Sequence, residues 1–389
     1  MRVLMVRNPK QARSDDLEQC LSSVSSRLLI TVCSFILRSD NMLGFLVSLT
    51  EQSIAENKRL IKQMATAGSR YVFTSLQMPE ERDRDLTAVI KELGDCMKEQ
   101  QLQWIADVSP ATFERYTEAD LASWGFTGLR IDDGVTMRQI AWMTQRWQII
   151  LNASTLTAAD LAELTAEQAV FENLSAWYNY YPRPETGLAR EAVRAHTSFI
   201  KSHGLTTGAF IQGDGQQRGP IFAGLPTLEA HRDLHPLAQY FDLLDIGIDT
   251  VLIGDLSLAE STLVQFKKWF NERIIQLHVT VLENTVDWLS PVYQVRRDVA
   301  RDVIRAANSR IEFSNHYHPI APANCQERLR GSVTIDNAAY LRYEGELQII
   351  LGDLLADEKV NVVGRVVMEE HVLLRYVNKP NSRFTCVVR

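Results

Sequence analysis

Asp107, Arg130 and Asp132 are the residues whose types and spacing best suit bond-making chemistry. The run Phe126-Thr127-Gly128-Leu129-Arg130-Ile131-Asp132-Asp133-Gly134 has the pattern of a buried strand that carries a carboxylate to its own carboxyl end. Side chains alternate along a strand, so Arg130 and Asp132 share one face, with Gly128 below them. Asp107 closes an earlier strand-like run in the same way. Two carboxylates from neighbouring strands suit glycoside hydrolysis, in which one protonates the leaving oxygen and the other attacks or activates water. The spacing equally fits plainer roles: an Arg130–Asp132 ion pair, and Asp107 as the N-cap of a helix opened by Pro110.

In a strand–helix barrel the site lies at the carboxyl ends of the strands, so polar residues there carry functional weight. Asn152, Asn179, Gln212 and Asp255 stand at such positions. The loop after the sixth strand is rich in aromatics: Trp177, Tyr178, Tyr180 and Tyr181 flank Asn179 and precede Arg183. Aromatic faces stack on sugar rings and an arginine fork holds carboxylate or phosphate, although Trp177 and Tyr180 fit core packing as well. Arg183 and Arg218 are the loop cations available to an anion. No G-x-S-x-G elbow or Walker loop occurs, and His231 with His235 lacks the H-E-x-x-H glutamate. His316 and His318 lie beyond the barrel-like region. Neither a metal nor a cofactor is called for, and no lysine occupies these strand-end positions to form a Schiff base.

The elements that must position these groups alternate in order. Strand-like runs at Leu43–Leu49, Tyr71–Leu76, Gln103–Val108, Gly128–Asp132, Arg146–Ala153, Asn173–Tyr178, Thr206–Gln212 and Thr250–Gly254 are separated by helical patterns. Eight such units match an α/β (β/α)8 TIM barrel, expected over residues 42–271. From residue 272 to 389 short β-type runs take over, at Leu277–Leu282, Gly331–Ile335, Glu346–Leu351, Val360–Met368, His371–Tyr376 and Phe384–Val388. One helical stretch, Val295–Ala307, interrupts them. A small β-rich second domain is expected there.

The chain has 389 residues, a net charge of −7 and a pI near 5.7, which argues against a nucleic-acid partner. Five scattered cysteines without a C-x-x-C pair point to a reducing, cytoplasmic compartment. The apolar run Leu28–Leu37 is too short to span a membrane, and acidic residues separate it from the basic N-terminus, unlike a signal peptide. Residues 1–41 are read as an extension outside the native fold, with Met42 beginning the barrel; a helix on the barrel floor is the alternative.

Taken together, Asp107-Val108-Ser109-Pro110, Gly128-Leu129-Arg130-Ile131-Asp132, Leu151-Asn152-Ala153-Ser154, Asn179-Tyr180-Tyr181-Pro182 with Thr186-Gly187-Leu188, and Thr227-Leu228-Glu229-Ala230-His231-Arg232 resemble the bacterial 6-phospho-N-acetylmuramidases of the MupG type. Leu43-Gly44-Phe45, Gln326-Glu327-Arg328 and the run Tyr343 to Ile350 extend the resemblance over Met42–Arg389. The resemblance implies a TIM barrel followed by a cyclophilin-like β domain. It also implies a cytoplasmic glycosidase acting on MurNAc-6-phosphate linked to GlcNAc in peptidoglycan recycling. Asp107 and Asp132 fall on acidic positions of the family pattern, and Arg130, Asn152, Asn179, Tyr181 and Thr186 on site-facing ones. Gln212 joins them as a strand-end residue, and Arg183, Arg218 and Arg328 are candidates to read the group at C6. The expected partner is the phosphorylated muramyl disaccharide, with no nucleic acid or membrane; a homo-oligomer is compatible with the sequence. The competing reading is a sensor that keeps the sugar pocket without turnover.

Overall fold

A computed structural model describes residues 42–78, 84–282, 289, 291–314 and 319–389. The expectation for residues 1–41, and the His316 and His318 positions, lie outside the described residues. Eight parallel strands close into a barrel: β1 (Met42–Leu46), β2 (Ser69–Ser75), β3 (Gln103–Val108), β4 (Gly128–Ile131), β5 (Gln148–Asn152), β6 (Leu174–Trp177), β7 (Thr206–Ile211) and β8 (Thr250–Ile253). Each pairs with the next, and β8 returns to β1, so no edge remains open. This is the expected TIM barrel.

Period-two alternation decides what fills it. Inward residues Leu46, Phe73, Ile105, Ile150, Trp177, Phe210 and Leu252 form one apolar plug, each at most 2% exposed. Outward residues of the same strands join the larger core beneath the helices. Two glycines make this packing fit. A Cβ on Gly208 would stand 2.4 Å from the Trp177 ring, and one on Gly128 would stand 2.7 Å from Ile105 Cδ1. Gly128 therefore keeps the apolar layer tight directly below Arg130. One residue-pair further along the strands the inward side chains turn polar, and that layer is the site.

Helix Glu260–Glu272 leads through Arg273, in the left-handed conformation at φ 57°, into a second, mixed sheet. Its strands are β9 (Ile274–Val281), β10 (Val292–Gln294), β11 (Val303–Arg305), β12 (Ser332–Asp336), β13 (Leu347–Ile350), β14 (Val360–Val366) and β15 (Arg383–Val388). Their order is β10-β15-β9-β14-β12-β13-β11, with only β9 and β15 parallel. Barrel and sheet pack as one compact unit, Met42–Arg389. Their seam is polar as well as aromatic: Glu370 accepts from Gln265 at 2.9 Å and from the His278 backbone at 2.7 Å, while Phe241 stacks near Tyr376.

Two expected elements differ. Val295–Ala307 is no helix; it is a hairpin-like excursion in which Val295 bridges Ala306 and the Arg296 amide donates to Arg305 at 3.1 Å. Only its ends are buried, Val295 at 2% and Ile304 at 0%, whereas Val299 is 39% exposed, so the apparent helical stripe has no core to face. His371–Tyr376 is helical rather than a strand, spanning the end of a 3-10 turn and the short helix Leu374–Val377. Glu370, Leu373, Leu374, Tyr376 and Val377 are the buried positions of this stretch; Glu370, Leu373, Leu374 and Val377 keep a spacing of three and four that a strand would split between two faces, and Tyr376 packs beside Phe241.

Asp336 on β12 is 4% exposed, and neither of its carboxylate oxygens has a hydrogen-bond partner among the described residues. Burial, with Glu346 and Asp357 nearby, pushes its pKa up to about 7. The folded protein thus holds a proton that the unfolded chain releases above its ordinary carboxyl range. Stability is unaffected at low pH, declines as pH rises toward 7, and stays reduced above it. Asp336→Asn is expected to flatten this decline and to stabilise the protein at pH ~8 by about 2 kcal/mol, about half the full linkage value. Denaturant melts of both proteins across this pH range check it.

Candidate active site

The polar layer is assembled by register. β3 and β4 pair Asp107 with Arg130, and β2 sets Ser75 beside Asp107 on the other side. Arg130 is 3% exposed and donates from Nη1 to Asp107 Oδ1 at 2.7 Å. Its Nη2 donates to Asp132 Oδ1 at 3.3 Å and to the side-chain oxygen of Asn179. Burial works against the Arg130 charge, and the two carboxylates more than offset it, so its pKa lies above the usual arginine value. The guanidinium is a fixed cation that ties three strand ends together.

The two carboxylates are held differently. Asp107, 5% exposed, receives Arg130 on Oδ1 and both Ser75 Oγ, at 3.2 Å, and Gln77 Nε2, at 2.7 Å, on Oδ2. Asp132 has a side chain 36% exposed; its Oδ1 receives Arg130 and, at 2.8 Å, Asn152 Nδ2. Its Oδ2 has no partner among the described residues. Asn152 is oriented in turn, because its Oδ1 accepts the Ser154 amide at 2.9 Å. Ser154 Oγ also accepts from Tyr181 OH at 3.3 Å, which draws the loop after β6 to the same cluster. One oxygen of one carboxylate is therefore oriented, open and placed at the mouth.

The structure thus joins Asp107, Arg130, Asp132, Asn152 and Asn179 directly, and Tyr181 through Ser154. Four other expected site residues stand apart from that cluster. Arg183 and Thr186 sit on the exposed outer loop, where Thr186 Oγ1 donates to the Arg183 carbonyl at 2.6 Å. Arg232 fixes that loop by donating to the Tyr181 and Arg183 carbonyls at 2.7 and 3.1 Å, leaving the Arg183 guanidinium without a partner among the described residues. Gln212 is 6% exposed and spends its side-chain oxygen on the Asp233 amide at 3.2 Å, packed against Gly224. Arg328 lies in the second sheet's surroundings, with Nε on the Leu355 carbonyl at 2.9 Å.

Asp255 organises the loop after β7, accepting the amides of Gly213, Arg218 and Leu225 at 2.9, 3.0 and 3.3 Å. Arg218 is 5% exposed, with Nε on Glu51 at 3.0 Å and Nη1 on Tyr180 OH at 3.3 Å, so it clamps the loops after β1, β6 and β7. Trp177 and Tyr180 pack in the barrel plug or on its rim, as the core reading of their positions has it. His231 and His235 share no helix face: His231 contacts Asp242 at 3.1 Å, and His235 caps the helix Pro236–Asp245. No group of three metal-ligating side chains converges among the described residues. Sequence reasoning missed Ser75, Gln77 and Glu51. Ser75 was findable, since it continues the inward series of Tyr71 and Phe73.

A closed parallel barrel whose strand ends present a buried arginine between two carboxylates defines a TIM-barrel protein with a compact, acidic site at its mouth. The N-terminal model of the 6-phospho-N-acetylmuramidase family matches residues 43–268 and its C-terminal model matches residues 275–387. The chain belongs to that family. Similar solved structures include a conserved protein of unknown function from Enterococcus faecalis, 36% identical, with a TM-score of 0.80 over 90% of this chain and 96% of that one. An uncharacterized B. cereus protein is 29% identical, with a TM-score of 0.69 over 90% and 99%. No curated protein matches the chain. No described helix is long and apolar enough to cross a membrane.

Proposed function

We propose that the protein hydrolyses the glycosidic bond of MurNAc-6-phosphate linked to GlcNAc, a cytoplasmic step of peptidoglycan recycling. The observation that carries this reading is Asp132: one oxygen is fixed by Arg130 and Asn152, while the other has no partner among the described residues, at a mouth lined by strand-end polar groups. A carboxyl group held that way meets a glycosidic bond in one orientation, which is what proton delivery or nucleophilic attack requires. Asp107 is the second carboxylate of the pair. To reach its Oδ2 the substrate has to displace the part-buried Gln77 amide. Arg130 holds both carboxylates in place, and a carboxylate beside the oxocarbenium-like centre is what stabilises its positive charge.

Arg183 is the cation we assign to a phosphate at C6: it stands on the loop that also carries Tyr181, its backbone is anchored, and its exposed side chain has no partner among the described residues. Arg218 is already engaged with Glu51 and Tyr180. Tyr181 offers an aromatic face at the rim of the same loop. The second sheet is taken as the family's cyclophilin-like domain, joined to the barrel's last helix, Glu260–Glu272, through the Gln265 side chain, which donates to Glu370 and to the Gln276 carbonyl.

Incubation of purified protein with the phosphorylated disaccharide in H218O, without added metal, tests the reaction type. Hydrolysis gives two monosaccharides with one 18O at the muramyl anomeric carbon. Binding without products would favour the sensor reading, and unlabelled products would rule out hydrolysis.

A further inference from the structure

We propose that a groove beside Asp132 is the subsite for the leaving sugar, the N-acetylglucosamine ring of the disaccharide; the assignment builds on the hydrolase reading above. The groove, about 490 Å³, lies between the helices Pro110–Arg115 and Glu118–Trp124, which follow β3, and the helix Met137–Met143, which follows β4. Both walls thus follow on from the strands that carry the carboxylates. Pro110 stands three residues after Asp107 and Gly134 two after Asp132, so the groove begins within roughly 7 Å of Asp132 along the chain. That is about the reach of one sugar ring. The two loops meet at its edge: a Cβ on Gly134, which adopts φ 77°, would stand 2.8 Å from Pro110 Cγ. As glycine, position 134 adds no side chain to the edge between groove and mouth.

Its lining suits a neutral sugar. Phe113, Val135, Trp142 and Met143 give it apolar and aromatic walls, and Trp142 is 56% exposed. Arg146, outside the lining, rests its guanidinium 3.8 Å from the centre of the Trp142 ring on one face, which leaves the opposite face for a ligand. Gln139 supplies a polar contact that is already aimed. Its Oε1 accepts the amide and the hydroxyl of Thr136, at 3.0 and 2.8 Å, in a capping box, while its Nε2 has no partner among the described residues. A fixed amide donor on an apolar groove matches the acetamido carbonyl of N-acetylglucosamine. The muramyl half, with its carboxylate and phosphate, fits badly: no lysine or arginine lines the groove, and its one charged side chain is Glu118, which accepts from Trp147 Nε1 at 3.0 Å. Arg183 stands two strands further round the barrel, after β6. A disaccharide laid across Asp132 therefore puts its neutral ring in the groove and its phosphorylated ring toward that loop.

Calorimetric titration of the full-length Asp132→Asn protein, in which turnover is slowed, with MurNAc-6-phosphate–GlcNAc and with MurNAc-6-phosphate alone tests this. The disaccharide is expected to bind more tightly by roughly tenfold or more. Adding Gln139→Glu, which keeps the capping oxygen and loses the donor, should remove most of that increment, as should adding Trp142→Ala; neither should change binding of the monosaccharide by more than about twofold. No saturable binding of the disaccharide, no increment over the monosaccharide, or an increment that survives both substitutions would overturn the proposal. So would a lower oligomeric state of the Trp142→Ala protein with the increment intact, which would make the groove a contact between copies. The reaction is judged separately: a protein that shows the increment and its loss in Gln139→Glu, but yields no products, keeps the groove and loses the hydrolase reading.

Discussion

Asp132→Asn is expected to lower kcat on the phosphorylated disaccharide by roughly 10³-fold, within the range for losing a positioned acid–base or nucleophilic carboxylate. The amide keeps the shape of the carboxylate, and its oxygen can still accept from Arg130 and Asn152 at the positions seen for Asp132 Oδ1. What it loses is the open Oδ2. Substrate affinity should therefore change little, so the effect falls on kcat rather than KM. Fold stability should also hold, because this side chain is 36% exposed and does not anchor the core. Steady-state kinetics combined with a thermal melt separate this outcome from a folding defect.

Arg130→Met is expected to destabilise the protein by roughly 3–5 kcal/mol, since it strands a buried charge. Asp107 would lose its one cationic partner in a site only 5% exposed, retaining Ser75 and Gln77. Asn179 would lose its donor as well. For a chain of this size the loss corresponds to a fall in melting temperature of roughly 5 °C. The cause can be isolated by adding Asp107→Asn. If the penalty is the stranded charge, the double variant recovers much of the lost stability although it is further from the native sequence. A double variant as unstable as the sum of the two single ones would mean that Arg130 stabilises through packing instead.

Much of the barrel was legible because its strands obey one rule. Inward positions alternate with outward ones, so apolar β-rich runs and the polar residues that end them can be read without a structure. The same rule placed Arg130 and Asp132 on one face, and their ion pair is present as spacing suggested. What could not be read was the cross-strand register. Nothing in the sequence says that Gln77, beyond the end of β2, folds back onto Asp107, or that Gln212 turns under Gly224 instead of into the mouth. The second sheet was less legible still. Val295, Val299 and Val303 have helical spacing, but a hairpin buries only the ends of that stretch, and tertiary pairing decided it.

The most direct test of the account is kcat/KM for MurNAc-6-phosphate–GlcNAc against the same disaccharide without its phosphate. An oriented Asp132 supplied with a phosphate anchor predicts efficient cleavage of the first and a loss of at least roughly 10²-fold on the second, the value of one or two charge-assisted contacts. Equal cleavage of both would remove the phosphate from the account, and cleavage of neither would contradict the proposed reaction.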